Sequence, residues 1–173
     1  MNHYIKKGLL LLAIVAITIS CNRVKTTSEV KETHADGKPK RVVEYITDAN
    51  GQKKLHKETC YFPSEKKYIS GTYDDKELRN GTWTSWYENG QKNSEQNYTN
   101  GKSDGMYNVW HPDGKQWIRV NYNMGKEDGV YNIWHPNGKQ QIKGEYNMGK
   151  KVGVWTYYDT LGKVMREEDY DKK

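Results

Sequence analysis

The chain has 173 residues, only 34% of them hydrophobic, and a formal charge of +6. That length suffices for one domain with accessory segments, and the scarcity of aliphatic residues excludes a conventional aliphatic globular core. The basic excess is scattered among 22 acids, which is no nucleic-acid footprint, and two cysteines, one of them at position 21, exclude a disulfide scaffold.

Large rings make up the apolar shortfall. Fourteen Tyr and six Trp stand against a single Phe, each ring able to bury roughly 150–250 Å². Tyr, Trp and Thr favour strands, and Ala and Leu are scarce beyond the first twenty residues.

Residues 1–20 are a separate object. Lys6 and Lys7 precede an apolar run from Leu9 to Ile17, too short to span a bilayer comfortably, so the stretch reads as a secretory signal. Ser20–Cys21 at its end resembles the bacterial lipobox, although Thr18 stands where lipoboxes usually carry an aliphatic residue. The resemblance implies cleavage before Cys21 and lipidation of its thiol; the bland alternative is an ordinary signal with an incidental cysteine. Cleavage would lower the formal charge by two, to +4, and leave Cys60 as the only free thiol. Asn22 follows the cysteine in place of the aspartate that commonly retains lipoproteins at the inner membrane, so in a diderm host the expected location is the outer membrane, facing the periplasm.

Residues 21–41 have almost no apolar content and read as a flexible tether after the lipidated cysteine. As a random coil, about twenty residues reach roughly 25 Å. Residues 42–80 hold degenerate hairpins, one around Asn50–Gly51 and one in "YFPSEKKYISGTY" (61–73), which lines up with "WHPNGKQQIKGEY" (134–146).

From Gly81 the pattern is strict. Units of 24 residues occupy 81–104, 105–128, 129–152 and 153–173, a period that signals a repeat architecture. Each unit places aromatic residues at two fixed positions, the second being Trp86, Trp110, Trp134 or Tyr158. A turn glycine follows at Gly90, Gly114, Gly138 or Gly162, then Tyr98, Tyr122, Tyr146 or Tyr170. "HPDG" and "HPNG" are turn sequences, with Pro fixing φ, Asp or Asn tolerating the second corner and Gly supplying φ > 0. The segment "QWIRVNY" (116–122) alternates as a strand does. The spacing thus predicts an all-β fold: an elongated antiparallel β-meander of stacked 24-residue hairpin repeats, each rung advancing about 10 Å.

The pattern G-x-[YW]-x-x-[WY]-x-x-x-G-x(7)-Y resembles the bacterial variant of the MORN repeat, well over 81–173 and weakly over 42–80. The resemblance implies a twisted meander and a non-enzymatic surface for proteins or lipids. Many bacterial members carry an antitoxin label, and eukaryotic relatives are linked to phospholipid contact.

Catalytic and metal chemistry find no support. His111 and His135 fall in neighbouring rungs about 10 Å apart, too far to share one zinc ion, and their counterparts are Tyr87 and Asp159. They read as residues that end a strand before a Pro turn. Cys60 falls where Val109 and Ile133 fall later and reads as a small buried hydrophobe; Ser85 and Ser94 take positions held elsewhere by Val or Ile. No cofactor or metal is expected.

The face of each strand depends on the hairpin loop. A four-residue loop, which segregates polar from apolar residues better, sets Val109 opposite Ile118 and Tyr107 opposite Val120. Trp86, Trp110, Trp134 and Tyr158 then form a ladder on the other face, beside Thr84, Asn108, Asn132 and Thr156. A three-residue loop shifts the register by one and puts the ladder in the core. The function expected is a membrane-anchored envelope lipoprotein whose repeat sheet binds or scaffolds another protein. The alternative is an immunity or antitoxin-type protein neutralising a toxin in the envelope.

Overall fold

A computed structural model describes residues 25–172. The signal segment and Cys21 lie outside the described residues. Twelve strands form one sheet in sequence order, every neighbour antiparallel: β1 (Lys25–Thr33), β2 (Pro39–Thr47), β3 (Lys53–Tyr61), β4 (Lys67–Tyr73), β5 (Arg79–Trp86), β6 (Lys92–Thr99), β7 (Lys102–Trp110), β8 (Gln116–Asn123), β9 (Lys126–Trp134), β10 (Gln140–Asn147), β11 (Lys150–Tyr158) and β12 (Val164–Asp169). The expected β-meander of hairpin repeats is the fold, and the rungs begin earlier than Gly81.

The tether expected over 21–41 is corrected over the described part of that stretch, 25–41. Lys25–Thr33 is a strand, and residues 39–41 already belong to β2. Two forces replace the missing apolar drive. Val30 pairs with Val42 across the strands, and Glu29 and Glu32 bind Lys31, Lys53 and Arg41.

One end of the sheet carries a recurring five-residue turn. In His111–Lys115 the amide of Gly114 donates to the carbonyl of His111, and the amide of His111 donates to that of Lys115, both at 2.8 Å. Gly114 takes φ +84. Pro112, Asp113 and Gly114 are therefore a three-residue loop of the type I plus bulge kind. The same hydrogen bonds recur at 34–38, 62–66, 87–91, 135–139 and 159–163. The far end carries the same five-residue turn at 48–52 and 74–78, then two-residue turns at Asn100–Gly101, Met124–Gly125 and Met148–Gly149, with φ > 0 at both positions as type I′ requires.

The loop has three residues, yet the register is the one expected of four. Trp110 faces Gln116, but Val109 faces Ile118 and Tyr107 faces Val120. A β-bulge at Gln116–Trp117 inserts the missing residue. It recurs in the neighbouring rungs: Trp134 faces Gln140 while Ile133 faces Ile142, and Tyr158 faces Val164 while Tyr157 faces Arg166.

The sheet therefore has one apolar face, holding Tyr107, Val109, Ile118, Val120 and Tyr122. Val109 is 5% and Val120 3% exposed. Trp83 and Trp155, 3% and 1% exposed, anchor the same face. Trp155 packs against Tyr131 and Tyr146 with ring centroids 5.1 and 5.0 Å apart, and Lys151 Nζ lies 4.2 Å from its ring centroid. Trp83 is held by Tyr73 at 5.3 Å and by the Arg79 guanidinium at 3.9 Å. Among the described residues no second sheet covers this face, and it buries itself beneath its own rings.

Candidate functional site

Trp86, Trp110, Trp134 and Tyr158 are the last residues of β5, β7, β9 and β11. Each follows an apolar-face residue by one, so strand alternation turns it to the opposite face. All four are half-buried. The stems of Lys67 and Lys92 reach across Trp86 and Trp110, their ammonium groups 6.0 and 5.8 Å from the ring centroids. Thr84, Asn108, Asn132 and Thr156 stand two residues before the rings on the same face. Tyr61, the last residue of β3, is a fifth rung that the sequence reading left out, although its alignment with Trp134 was visible.

The turn glycines Gly90, Gly114, Gly138 and Gly162 have φ +88, +84, +84 and +86. They end the rungs uniformly and hold the rings in line.

The histidines have structural tasks. His135 Nε2 pairs at 3.0 Å with the carbonyl of Tyr158, one rung further on. His34 does the same with Tyr61, and the Tyr87 hydroxyl donates to the carbonyl of Trp110. Asn89 and Asn137 donate to the carbonyls of Pro112 and Thr160 in the following turn. Turn is thus fastened to turn along one end of the sheet. His111 instead stacks on Trp117 with ring centroids 5.1 Å apart. Among the described residues no group of three or more His, Cys, Asp or Glu side chains could hold a metal ion.

Two glutamines escaped the sequence reading. Gln116 Nε2 donates to the carbonyl of Ile118 at 2.7 Å and lies 3.4 Å from both the carbonyl of Val109 and Oδ1 of Asn108. Gln140 makes the equivalent contacts with Ile142, Ile133 and Asn132. The bulge disrupts the ladder locally, and the amide serves the carbonyls beside it. The twelve-residue stretch at 105–116 recurs at 129–140 because the asparagine, ring, turn and glutamine work as one device. The signal was there: a glutamine two residues after each of these turn glycines.

Nucleophiles are poorly placed. Cys60 is half-buried between Arg41 and Ile69, and burial together with the Glu58 carboxylate raises its thiol pKa. Such a thiol is a poor source of thiolate. Ser85 and Ser94 bond to each other at 2.7 Å across the strands, polar substitutes for an apolar pair. Burial likewise raises the phenol pKa of Tyr107, Tyr122 and Tyr131 on the apolar face.

The MORN repeat variant matches residues 79–100 and 151–172, the first and last of the regular rungs. The rungs between keep the same internal register. No curated protein matches the chain.

Proposed function

We infer, from the match of the MORN repeat variant at residues 79–100 and 151–172, that the repeats belong to a non-catalytic class that binds proteins or membranes. On that premise we propose that the chain is a non-enzymatic binding or scaffold module, anchored in the bacterial cell envelope through a lipid on Cys21, that presents its ring ladder to a protein partner. The observation that carries this reading is the placement of Trp86, Trp110, Trp134 and Tyr158. They stand side by side in successive rungs, on the face opposite the buried Trp83 and Trp155. Aromatic patches of this kind concentrate interface energy. In a diderm host the anchor is at the outer membrane and the sheet faces the periplasm.

The test is in-cell crosslinking of the anchored chain, followed by mass spectrometry, with the wild type beside a Trp110→Ala plus Trp134→Ala variant. A crosslinked envelope protein that disappears in the folded double variant supports the reading. An unchanged crosslink pattern contradicts it. If the captured protein is a toxin encoded beside this chain and neutralised by it, the same ladder serves an immunity role.

A further inference from the structure

Among the described residues the sheet is open at both ends, with β1 as one edge and β12 as the other. An edge strand offers unpaired N–H and C=O groups to any strand that fits. Large apolar side chains are exposed beside β12: Leu161 is 77%, Met165 70% and Val164 47% exposed.

The repeats state how such an edge would be extended. Each even strand joins the next odd strand in one register near the turn. Ser94 faces Val109, Ile118 faces Ile133 and Arg119 faces Asn132, and Ile142 faces Tyr157 and Lys143 faces Thr156. Advanced by one 24-residue period, Ile142 and Lys143 become Arg166 and Glu167 of β12. The five-residue turn at 34–38 corresponds to the one at 159–163, so Tyr157 and Thr156 correspond to Glu32 and Lys31 of β1. The register of the repeats therefore sets Arg166 opposite Glu32 and Glu167 opposite Lys31, two pairs of opposite charge. We propose that β12 of one copy pairs with β1 of a second copy, head to tail, continuing the meander across the boundary.

Two further features agree. Lys66, Lys115 and Lys139, the last residues of their turns, each donate to a carbonyl in the following turn. Lys163 holds the same place in the 159–163 turn, and among the described residues no further rung follows it. The 34–38 turn of a second copy would bring those carbonyls to it. Two-fold pairing of β12 with itself is the other way to cover this edge, and charge opposes it over Arg166–Asp169. Centred on Arg166, Glu167, Glu168 or Asp169, it sets that residue against its own like charge.

The contact is short. β1 bulges at Lys31, where Glu32 faces Arg41 but Val30 faces Val42, so the shared register ends there. Lys31, Glu32 and Arg166 also have partners within the chain, Glu29, Arg41 and Glu168, which must yield. Association is therefore weak and concentration-dependent, and head-to-tail contacts that do not close add copies without limit.

Sedimentation velocity of the purified chain over a hundredfold concentration range tests this. The average mass should rise past that of a dimer. Lys31→Glu and Glu167→Lys should each remain monomeric alone, because each sets like charges across the contact. Mixed in equal amounts they should associate again, since every contact between unlike copies restores a pair of opposite charges. A wild type that stays monomeric throughout overturns the proposal. So does a species that stops at a dimer, or one that survives Lys31→Glu.

Discussion

Gly144 lies directly beneath the indole of Trp155. A Cβ at Gly144 would meet ring atoms at 2.3 and 2.4 Å, closer than packed atoms approach. Gly71 and Trp83 stand in the same relation, at 2.2 Å. In the rungs between, the facing pairs are Gln96 with Tyr107 and Val120 with Tyr131. Glycine thus accompanies tryptophan, and a larger residue accompanies tyrosine. The repeats conserve the volume of the pair while each position varies.

Gly144→Val should therefore cost on the order of 2–3 kcal/mol through overpacking. Adding Trp155→Tyr should recover part of that loss, since Val over Tyr is the native pair at 120 and 131. A double-mutant cycle read by chemical denaturation checks it. Strictly additive losses would refute the coupling.

The turn residues give two effects of opposite sign. Gly114→Val and Gly138→Val place a β-branched residue at φ +84 and should each cost about 1–2 kcal/mol. Met124 and Met148 already sit at φ +48, where asparagine is better tolerated. Met124→Asn should raise the melting temperature, by about 0.5 kcal/mol in stability. A melting temperature unchanged in both glycine variants would count against the turn geometry.

Gln140→Leu removes the amide that serves the bulge carbonyls of Ile133 and Ile142. A loss of about 1–2 kcal/mol is expected, with faster amide exchange confined to the 133–142 hairpin. Uniform exchange across the sheet would argue that the bulge does not depend on this side chain.

The pH response should fall off at both extremes. Asp128 accepts from the Met148 amide and from Asn123, and Asp159 from the amides of Lys163 and Leu161; these bonds hold both carboxyls below the ordinary range. A depressed folded value means stability that is present above the ordinary aspartate range and lost as pH falls through the folded value. Burial raises the pKa of Tyr73, Tyr107, Tyr122, Tyr131 and Tyr146. Their contribution is complete below the ordinary tyrosine value, about 10, and is lost as pH climbs past it. Melting temperatures from pH 2 to 12 should show a plateau with both shoulders, and Asp128→Asn should soften the acid one. A flat acid limb in the wild type would contradict the role of these turns.

Anchoring has its own check. Cys21→Ala should leave the chain unprocessed or released from membranes. Fractionation with membranes like the wild type, after the signal is removed, would refute lipidation.

Much of this was legible in the sequence, for uneven reasons. The 24-residue period and the turn glycines fixed the meander, because turn chemistry is local. The facing of Val109 with Ile118 was also legible, but through the apolar pattern: the loop is one residue shorter than that register suggested, and a bulge makes up the difference. β1 was not legible as a strand. Val30 and Val24 are its neighbourhood's only aliphatic residues between 22 and 41 apart from Ala35, and an edge strand held by ion pairs has no hydrophobic alternation to read. Its turn, His34-Ala35-Asp36-Gly37-Lys38, nonetheless repeats the one at His111–Lys115 with alanine in place of proline. The seats at Gly71 and Gly144 depend on which strand lies alongside, so their spacing gave the match without its reason.

On the reading proposed above, the two faces have separate tasks: Trp83 and Trp155 hold the sheet together, while Trp110 and Trp134 on the opposite face contribute little to its stability. Chemical denaturation of Trp155→Ala beside Trp110→Ala and Trp134→Ala tests it most directly. Trp155→Ala should cost about 3–5 kcal/mol, and each ladder variant less than half as much. A loss at Trp110 or Trp134 equal to that at Trp155 would place the ladder in the core and contradict the account.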